Sequence, residues 1–252
     1  MDIDWYIHLG WNPYPKCERV AIGGAPRFMR GIRLMFAADM HIRDCTSDKY
    51  IASLAHMLSA EGADALLLGG DYGESEDAAR RFFSAVDSSA FPMGVYGVTG
   101  NNDKEAFGDI SGLREAFPGR LLINEAAAIT VGRHTLYIGG CDERKYGIPL
   151  KRSPFPADNS GYSILLSHYP SYPAGVTGPR PRLMLSGHTH AGQIAFMGLS
   201  GYTFGMERNT VSAVNGLGTA DGIPAFVSSG IGVSRLPIRF CARPRIHIIE
   251  FR

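Results

Sequence analysis

The sequence predicts a single α/β domain, made of two packed sheets flanked by helices, on three observations. The chain has 252 residues, of which 45% are hydrophobic and 19% charged, so it can bury one large core. Between residues 32 and 103, short apolar runs alternate with segments of helical periodicity, and this β-α-β-α-β pattern is typical of parallel strands. Beyond about residue 120, strand-like runs joined by Gly- and Pro-rich loops indicate a second sheet, antiparallel or mixed.

The regular pattern begins with a predicted strand at residues 32–38, which stops at Asp39. Ser47 or Asp48 can cap the helix that follows, and Gly62 can end it. One face of this helix is apolar, with side chains at the i, i+3, i+4 and i+7 positions: Ile51, Leu54, Ala55 and Leu58.

Two more strands are predicted at Ala65–Leu68 and at residues 93–98, with a second helix between them. The apolar face of that helix carries Ala79, Phe82, Phe83 and Val86. The first of these strands ends in Gly69-Gly70-Asp71, and the second ends in Thr99-Gly-Asn-Asn-Asp103. Because ligands bind beyond the carboxyl ends of parallel strands, these polar strand ends are candidate site residues.

The rest of the chain is predicted to hold short strands and long loops. Residues 1–30 resemble an irregular arm packed on a domain of residues 31–252, with one strand at residues 18–22. The loops at 141–160 and 198–224 are longer than passive connections usually are, so we expect them to shape a site. The later strands are predicted at residues 121–123, 128–131, 135–138, 162–166, 183–185, 194–196, 225–227 and 246–250.

Charge and cysteine content narrow the class of protein. The net charge of +1 offers no extended basic surface for nucleic acid. The four cysteines (Cys17, Cys45, Cys141 and Cys241) form no C-x-x-C pair, which favours free thiols in a reducing compartment. No secretory leader and no run of 18 apolar residues is present, so we expect a cytoplasmic protein without a membrane span. Peripheral membrane contact stays open.

Polar residues after the first three strands offer oxygen and nitrogen ligands. Asp39 and His41 are two residues apart, so on an extended segment they face the same point. Asp71 follows two glycines that let the backbone turn sharply, and a carboxylate there can bridge two cations. The side-chain oxygen of Asn101 is a hard neutral ligand. Each residue taken alone also fits an ordinary turn or helix cap.

Histidines after two later strands complete the pattern. His168 follows the apolar run that ends at Leu166, and alone it fits a core histidine. His188 and His190 lie in Ser186-Gly-His-Thr-His-Ala-Gly-Gln193, a Gly-rich turn that would leave two imidazoles without partners unless they bind a metal. Seven candidate ligands are too many for one tetrahedral ion and suit two ions that share a carboxylate. Imidazole with carboxylate and amide oxygen favours Mn, Fe or Zn over Mg or Ca.

The order of these motifs carries a family resemblance. The patterns D-x-H, G-D, G-N-x-D, a lone H and G-H-x-H occur in the order found in calcineurin-like metallophosphoesterases, which the chain resembles over about residues 30–252. The stretches SGHTHAGQI and SSGIGVSRLPIRFCARPRIHII resemble a bacterial subgroup, the YkuE-like and YaeI-like phosphodiesterases. The resemblance implies a double β-sandwich of mixed sheets with helices outside, in four layers, α/β/β/α.

The resemblance also implies roles for these residues. Asp39, His41 and His190 would hold one ion, Asn101, His168 and His188 the other, and Asp71 would bridge them. A metal-bridging hydroxide would attack phosphorus in line, with Asp71, Asn101, Asn102 and His188 as the catalytic residues. The implied cofactors are two divalent ions, Mn, Fe, Zn or Ni, with Mn expected to serve in vitro.

The chain departs from the family at Asn102, where a histidine usually follows the metal-binding asparagine. That histidine is thought to assist departure of the leaving group, whereas an amide cannot act as a general acid near pH 7. We therefore expect leaving groups that depart as stable anions, as in aryl phosphodiesters or pyrophosphates. The UDP-2,3-diacylglucosamine hydrolases resemble this chain in lacking histidine there, so a lipid-bearing pyrophosphate is an alternative substrate.

Substrate-binding residues carry a weaker signal. Arg43 and Arg144 each follow a strand end and are the better candidates for binding substrate phosphate, ahead of three other arginines, Arg208, Arg235 and Arg239. The apolar stretches 194–199 and 231–240 could form a hydrophobic lip for a lipid tail, although buried core strands have the same apolar composition. The expected partner is a small phosphodiester or pyrophosphate. A non-catalytic metal-binding scaffold is the second alternative, and a nuclease is disfavoured.

Overall fold

The fold consists of two six-stranded mixed sheets and four α-helices among the described residues. The computed structural model describes residues 7–8, 14–158, 160–194, 215–234 and 237–252. Across these ranges the chain forms fourteen strands, of which twelve make the two sheets. The remaining two, β1 (Ile7–His8) and β13 (Arg239–Phe240), pair with each other in an antiparallel ribbon.

The first sheet is built around the predicted β-α-β-α-β unit. In spatial order the strands are β2 (Lys16–Ile22), β14 (Arg245–Phe251), β3 (Arg33–Ala37), β4 (Ala65–Leu68), β5 (Val95–Gly97) and β6 (Arg120–Leu121). The strands from β3 to the edge strand β6 are parallel, while β14 is antiparallel to β3 and parallel to the other edge strand, β2.

The second sheet has a parallel centre and an antiparallel strand at each edge. In spatial order the strands are β11 (Gly216–Ala220), β12 (Ile223–Val227), β10 (Leu183–Ser186), β9 (Tyr162–Ser167), β8 (His134–Gly140) and β7 (Ala126–Val131). Four of these strands, β8, β9, β10 and β12, run in one direction, so their carboxyl ends meet at one edge.

The described helices pack on the outer face of the first sheet. The Ser47 side chain accepts a hydrogen bond from Tyr50 N and caps α1, and Ser75 caps α2 in the same way through Ala78 N. Their apolar faces join one buried cluster with inner-strand residues such as Met35 and Leu66. The helices are α1 (Asp48–Ala60), α2 (Glu76–Ala85), α3 (Asn101–Phe107) and α4 (Ile110–Ala116).

The largest apolar contact between the sheets is a cluster in which Phe36 and Leu67 of the first sheet meet Ile138, Ile164 and Leu185 of the second. Each fully buried side chain of this kind stabilises the fold by roughly 1.5–3 kcal/mol. A third cluster covers the outer face of the second sheet, where the loop segments after β8 contribute residues such as Leu150 and Phe155. This cluster fixes the loops that border the functional site.

The prediction of two packed mixed sheets with flanking helices is confirmed. The strand predicted at residues 18–22 is the edge strand β2, whereas the division into an arm and a domain at residue 30 stays a prediction. Of the strand predicted at residues 194–196, Ile194 forms an isolated bridge with Phe240, and the other residues lie outside the described ranges. No helix among the described residues is long and apolar enough to cross a membrane.

Two parts of the fold differ from the prediction. Residues 216–220, assigned to a long loop, form β11, because Asp221 and Gly222, with φ of 51° and 78°, make a two-residue turn into β12. Residues 198–214 of that predicted loop lie outside the described ranges. Helices α3 and α4 were also missed, since the Gly-Asn-Asn sequence at the start of α3 is equally typical of a turn.

Candidate metal centre

The candidate ligands follow strand ends of both sheets. Asp39 follows β3, Asp71 follows β4, and Asn101 follows β5 as the first residue of α3. His168 follows β9 directly, and His188 lies two residues beyond β10. Since β3, β4 and β5 are parallel, and so are β9 and β10, the two sheets deliver these side chains to one edge of the sandwich.

Backbone conformation sets these residues apart from the rest of the chain. Ten described residues other than glycine have a positive φ, and five of them are candidate ligands. Such conformations cost about 1–3 kcal/mol each and persist only where the surrounding structure enforces them. The strain therefore concentrates where side chains must converge. These five residues are Asp39, His41, Asp71, His188 and His190.

A first group of ligand atoms comes from Asp39, His41 and His190, all of them buried. The Nε2 atoms of the two histidines are 3.0 Å apart, and His190 Nε2 is 3.7 Å from Asp39 Oδ1. The Asp39 carboxylate also accepts hydrogen bonds from the backbone N–H of His188, at 2.9 and 3.0 Å. That contact fixes the carboxylate against the Gly-rich turn.

A second group comes from Asp71, His168 and His188. His188 Nδ1 lies 3.1 Å from His168 Nε2, which in turn lies 3.4 Å from Asp71 Oδ2. The same Asp71 oxygen is 3.5 Å from His41 Nε2 in the first group. Asp71 Oδ2 is therefore within reach of both groups, which is the geometry of a bridging carboxylate.

Asn101 presents an unsatisfied oxygen at the same place. Its Oδ1 is buried and has no hydrogen-bond partner among the described residues, while its Nδ2 donates to Asn102 Oδ1 at 2.6 Å. A buried acceptor without a partner costs about 1–3 kcal/mol. A cation would satisfy this oxygen, so the missing partner supports a metal site that includes Asn101.

The spacing of these atoms fits divalent ions. Two nitrogen or oxygen ligands about 2.1 Å from one tetrahedral ion lie about 3.4 Å apart. Two separations within each group, which run from 3.0 to 3.7 Å, bracket that value. The residues present therefore fit two cations.

Contacts behind the histidines orient two of the rings. Glu74 Oε1 lies 2.6 Å from His41 Nδ1, and the carbonyl oxygen of Gly69 lies 2.9 Å from His168 Nδ1. Each acceptor keeps the proton on Nδ1 and leaves the Nε2 lone pair for a metal. Sequence reasoning missed Glu74, because a carboxylate three residues after Asp71 in a loop carries no pattern that distinguishes it from a solvated acid.

His190 has a different neighbour. Arg239 Nη2 lies 2.9 Å from His190 Nδ1, and Arg239 also donates to the carbonyl oxygens of Ser229 at 2.8 Å and Gly232 at 2.7 Å. The side chain is fully buried. The suggestion that Arg239 binds substrate phosphate is therefore wrong, since its guanidinium is engaged beneath a ligand and away from solvent. Arg239 positions the His190 loop instead.

Asp103 anchors the backbone around Asp71. Its carboxylate accepts hydrogen bonds from the backbone N–H groups of Gly100 at 2.7 Å, Asp71 at 2.8 Å and Tyr72 at 2.8 Å. Asp103 therefore orients Asp71 through the main chain. Gly100 is required beside it, because a Cβ at that position would lie 2.5 Å from Asp71 N.

Burial shifts the pKa values of the cluster in opposite directions. Burial raises the pKa of Asp39 to about 6 and lowers the pKa of His188 to about 3. For His168, burial opposes the charge, but the Asp71 carboxylate outweighs it and raises the pKa to about 10. Burial likewise opposes ionisation of Asp71, yet the neighbouring His168 and His41 hold its pKa well below the usual value.

The arginines proposed for substrate lie at opposite ends of the centre. Arg43 is half-buried near Glu74, whose pKa it helps to lower, and donates to the carbonyl oxygen of Val233 at 3.4 Å. Arg144 is exposed on the side of Tyr169, and its Nη1 is 3.4 Å from Ser171 Oγ. Two other sequence candidates, Arg208 and Arg235, lie outside the described residues.

Comparison with known proteins agrees with this geometry. A family model described as calcineurin-like phosphoesterase matches residues 32–192. The chain is 25% identical over 222 residues to the uncharacterized protein YpbG of Bacillus subtilis, covering 86% of this chain and 80% of that protein. It is 23% identical over 243 residues to the uncharacterized metallophosphoesterase YkuE of the same species, covering 90% and 81%.

Other relatives are longer. A Danio rerio transmembrane protein with a metallophosphoesterase domain is 24% identical over 250 residues, which is 88% of this chain but 53% of that protein. Among solved structures, the Thermus sulfate thiohydrolase SoxB aligns with a TM-score of 0.44 at 11% identity, over 95% of this chain and 57% of that one. This chain thus spans about half the length of both. The family model covers more than half of the chain, and the chain belongs to the calcineurin-like phosphoesterase family.

Proposed function

We propose that the chain is a dinuclear metal-dependent hydrolase that cleaves a phosphodiester or pyrophosphate bond. Membership of the family implies a phosphoric ester hydrolase that depends on divalent metal. The observation that supports a dinuclear centre most directly is Asp71 Oδ2, which lies 3.4 Å from His168 Nε2 and 3.5 Å from His41 Nε2. One oxygen placed between two sets of ligand atoms is the arrangement that a pair of ions requires.

The proposed ligands divide between two ions. Asp71 would contact both, and when bound the ions lower the pKa of water to make a nucleophile and neutralise charge on the phosphoryl oxygens. Imidazole with carboxylate and amide oxygens suits Mn, Fe, Zn or Ni, and Mn is the first metal to assay. The first set is Asp39, His41 and His190, and the second is Asn101, His168 and His188.

Residues around the ligands set the substrate preference. The Asn102 amide lies 3.3 Å from both His41 Nδ1 and Glu74 Oε1, at the edge of the first set. It can donate a hydrogen bond to a leaving-group oxygen but cannot transfer a proton near pH 7. This favours aryl diesters and pyrophosphates. Arg43 and Arg144, one at each end of the centre, would bind the phosphate oxygens.

The test is hydrolysis by purified protein that is stripped of metal and then reloaded with Mn, Fe, Zn, Ni or Mg. The substrates are bis-p-nitrophenyl phosphate and p-nitrophenyl phosphate, with the variants Asp71→Asn and His188→Ala. The matched control is His56→Ala, which removes an exposed imidazole on α1. We expect metal-dependent cleavage of the diester that both site variants lose and the control keeps.

Elemental analysis separates the enzyme from a scaffold. Two bound ions per chain with no turnover by any metal would contradict the hydrolase and favour a non-catalytic metal-binding scaffold. Fewer than two ions under saturating metal would contradict the dinuclear centre itself. Monoester cleavage at a rate equal to that of the diester would contradict the preference drawn from Asn102.

A lipid-bearing pyrophosphate is the second substrate class to assay. Ile194 and Ile238 are 46% and 38% exposed, and the bridge between Ile194 and Phe240 brings their segments together beside the His190 loop. Exposed apolar residues near a phosphate site suit a lipid tail or peripheral contact with a membrane.

The proposed location is the cytoplasm, where a small phosphate-bearing substrate would be met. All four cysteines are free thiols, which a reducing compartment favours.

A further inference from the structure

A cavity of about 540 Å³ lies between two loop segments on the outer side of the second sheet. One wall comes from the segment after β8, including Arg144 and Leu150, and the other from the segment after β9, including Tyr172 and Val176. Its volume falls in the range of about 300–1,000 Å³ that holds small organic ligands. The loop at 141–160, predicted to shape a site, thus supplies one of its walls.

The cavity is adjacent to the candidate metal centre. Tyr169 lines it, and the ring centroid of Tyr169 lies 4.0 Å from that of His188, a member of the second ligand set. Ser167, which directly precedes His168, also lines it. A molecule with its phosphorus at the centre can therefore place an attached group in the cavity.

The acidic residues of the cavity wall are engaged within the protein. The Asp142 carboxylate is fully buried and accepts from Thr99 Oγ1 at 2.7 Å and from Ile148 N at 2.7 Å. The Glu143 carboxylate accepts the backbone N–H groups of Lys145 and Tyr146. These bonds hold the loop in shape, so the acids act as its scaffold. A phosphate-bearing ligand would meet the exposed guanidiniums instead.

The remaining wall includes Tyr172, Arg180 and a third acid, Asp221, whose carboxylate accepts a hydrogen bond from Tyr172 N at 2.8 Å. The Arg180 guanidinium lies over the Tyr172 ring, 5.2 Å from its centroid, and Arg180 is exposed at the rim. Stacked guanidinium and tyrosine surfaces favour planar rings over flexible chains.

We propose that this cavity binds an aromatic ring of the substrate, so that the substrate class is an aromatic ester of phosphate or pyrophosphate. The inference rests on the proposed function, because the phosphate would occupy the metal centre next to it. It agrees with the leaving-group preference drawn from Asn102, since aryl oxygens depart as stable anions. The Tyr172–Arg180 pair would face the ring beside Leu150 and Val176, with Arg144 near the phosphate.

The binding test uses the full chain without metal, so that it does not depend on turnover. Saturation-transfer NMR and titration would compare phenyl phosphate, hexyl phosphate and methyl phosphate, which share a phosphate group. We expect phenyl phosphate to bind at least tenfold more tightly than methyl phosphate and more tightly than hexyl phosphate. Equal affinity of all three, or tighter binding of hexyl phosphate, would overturn the aromatic site.

A variant that fills the cavity locates the binding. Ala174 is exposed and lines the cavity, so Ala174→Trp occupies it without disturbing the core, and the matched control is Ala52→Trp on the exposed side of α1. Ala174→Trp should lower the affinity for phenyl phosphate to that for methyl phosphate, while Ala52→Trp leaves it unchanged. Unchanged melting temperatures would verify that both variants fold. Undiminished binding in Ala174→Trp would refute this location.

A kinetic arm separates this inference from the proposed function. In the metal-loaded protein, Ala174→Trp should raise KM for bis-p-nitrophenyl phosphate about tenfold and leave kcat within twofold. Metal-dependent turnover with an unchanged KM would refute the cavity and leave the hydrolase standing. Selective binding of phenyl phosphate without turnover by any metal would refute the hydrolase and leave the aromatic site standing.

Discussion

Replacing Gly100 by alanine should damage the metal centre through a single added carbon. A Cβ at residue 100 would lie 2.5 Å from Asp71 N, about 0.9 Å inside an ordinary contact of 3.4 Å, and closer still to Asp71 Oδ1. The clashing atom belongs to the main chain and cannot rotate away as the end of a flexible side chain can, so the Asp71 segment must move by nearly 1 Å. Overpacking of this kind costs about 1–3 kcal/mol of stability, which corresponds to about 2–4 °C in Tm per kcal/mol.

The effect on activity should exceed the effect on stability. A displacement of about 1 Å in a catalytic group costs about a hundredfold in rate, and Asp71 Oδ2 lies 3.5 Å from His41 Nε2 and 3.4 Å from His168 Nε2. We expect kcat/KM for bis-p-nitrophenyl phosphate to fall about a hundredfold and bound metal to fall below two ions per chain.

The control for Gly100→Ala is Gly23→Ala, where a Cβ would meet no atom within 4 Å and φ is not left-handed. Gly23→Ala should match the parent protein in activity, metal content and Tm. If Gly100→Ala kept two bound ions and full activity, Asp71 would not need its present position, and the bridging role would be refuted.

Two further predictions concern the contacts that Arg239 makes behind His190 and the proton that His168 carries in the absence of metal. Arg239→Met should lower Tm and reduce bound metal from two ions per chain toward one. The reason is that His190 and the carbonyl oxygens of Ser229 and Gly232 lose the guanidinium that contacts them at 2.7–2.9 Å. A folded variant that retains two ions would contradict this prediction. The Asp71 carboxylate raises the pKa of His168 to about 10 against the effect of burial, so His168 is protonated at pH 7.5 without metal. Metal binding should therefore release a proton, and metal affinity should increase as the pH rises. Calorimetry in buffers of different ionisation enthalpy measures the number of protons released, and proton uptake would refute the prediction.

Much of the candidate centre could be predicted because its residues follow strands. Apolar runs and their polar ends are visible in the sequence, and parallel strands bring those ends together. Thus Asp39, Asp71 and His168 were predicted where they lie. The backbone strain at these positions was not predictable, since a positive φ in aspartate or histidine depends on the packing that enforces it.

Residues that support the ligands left no such signal. Glu74 reaches His41 across 33 residues of sequence, and Arg239 reaches His190 across 49. Pairs this distant carry no periodicity or spacing that a single sequence reveals. Strand β11 was missed for a local reason, because its sequence Gly-Leu-Gly-Thr-Ala is poor in β-branched residues. The Asp-Gly turn after it was the available clue.

Position 102 offers the sharpest test of how the proposed reaction treats its leaving group. The Asn102 amide lies 3.3 Å from Glu74 Oε1, so a histidine placed there would have a carboxylate within reach to orient it and keep it protonated. A positioned general acid contributes about 10²- to 10⁴-fold where the leaving group is a strong base. Asn102→His should therefore accelerate cleavage of diesters with poor leaving groups and leave p-nitrophenyl esters nearly unchanged.

The measurement is kcat/KM for a series of aryl methyl phosphate diesters whose phenols rise in pKa. The parent protein should show a steep fall along the series, and Asn102→His a shallower one. Asn102→Gln, which keeps the amide, should follow the parent slope, and metal analysis would verify that the new imidazole has not become an extra ligand. Parallel lines for the parent and Asn102→His would mean that proton transfer to the leaving group is not what residue 102 controls. The preference for stable anionic leaving groups would then have to arise from the ions and the arginines instead.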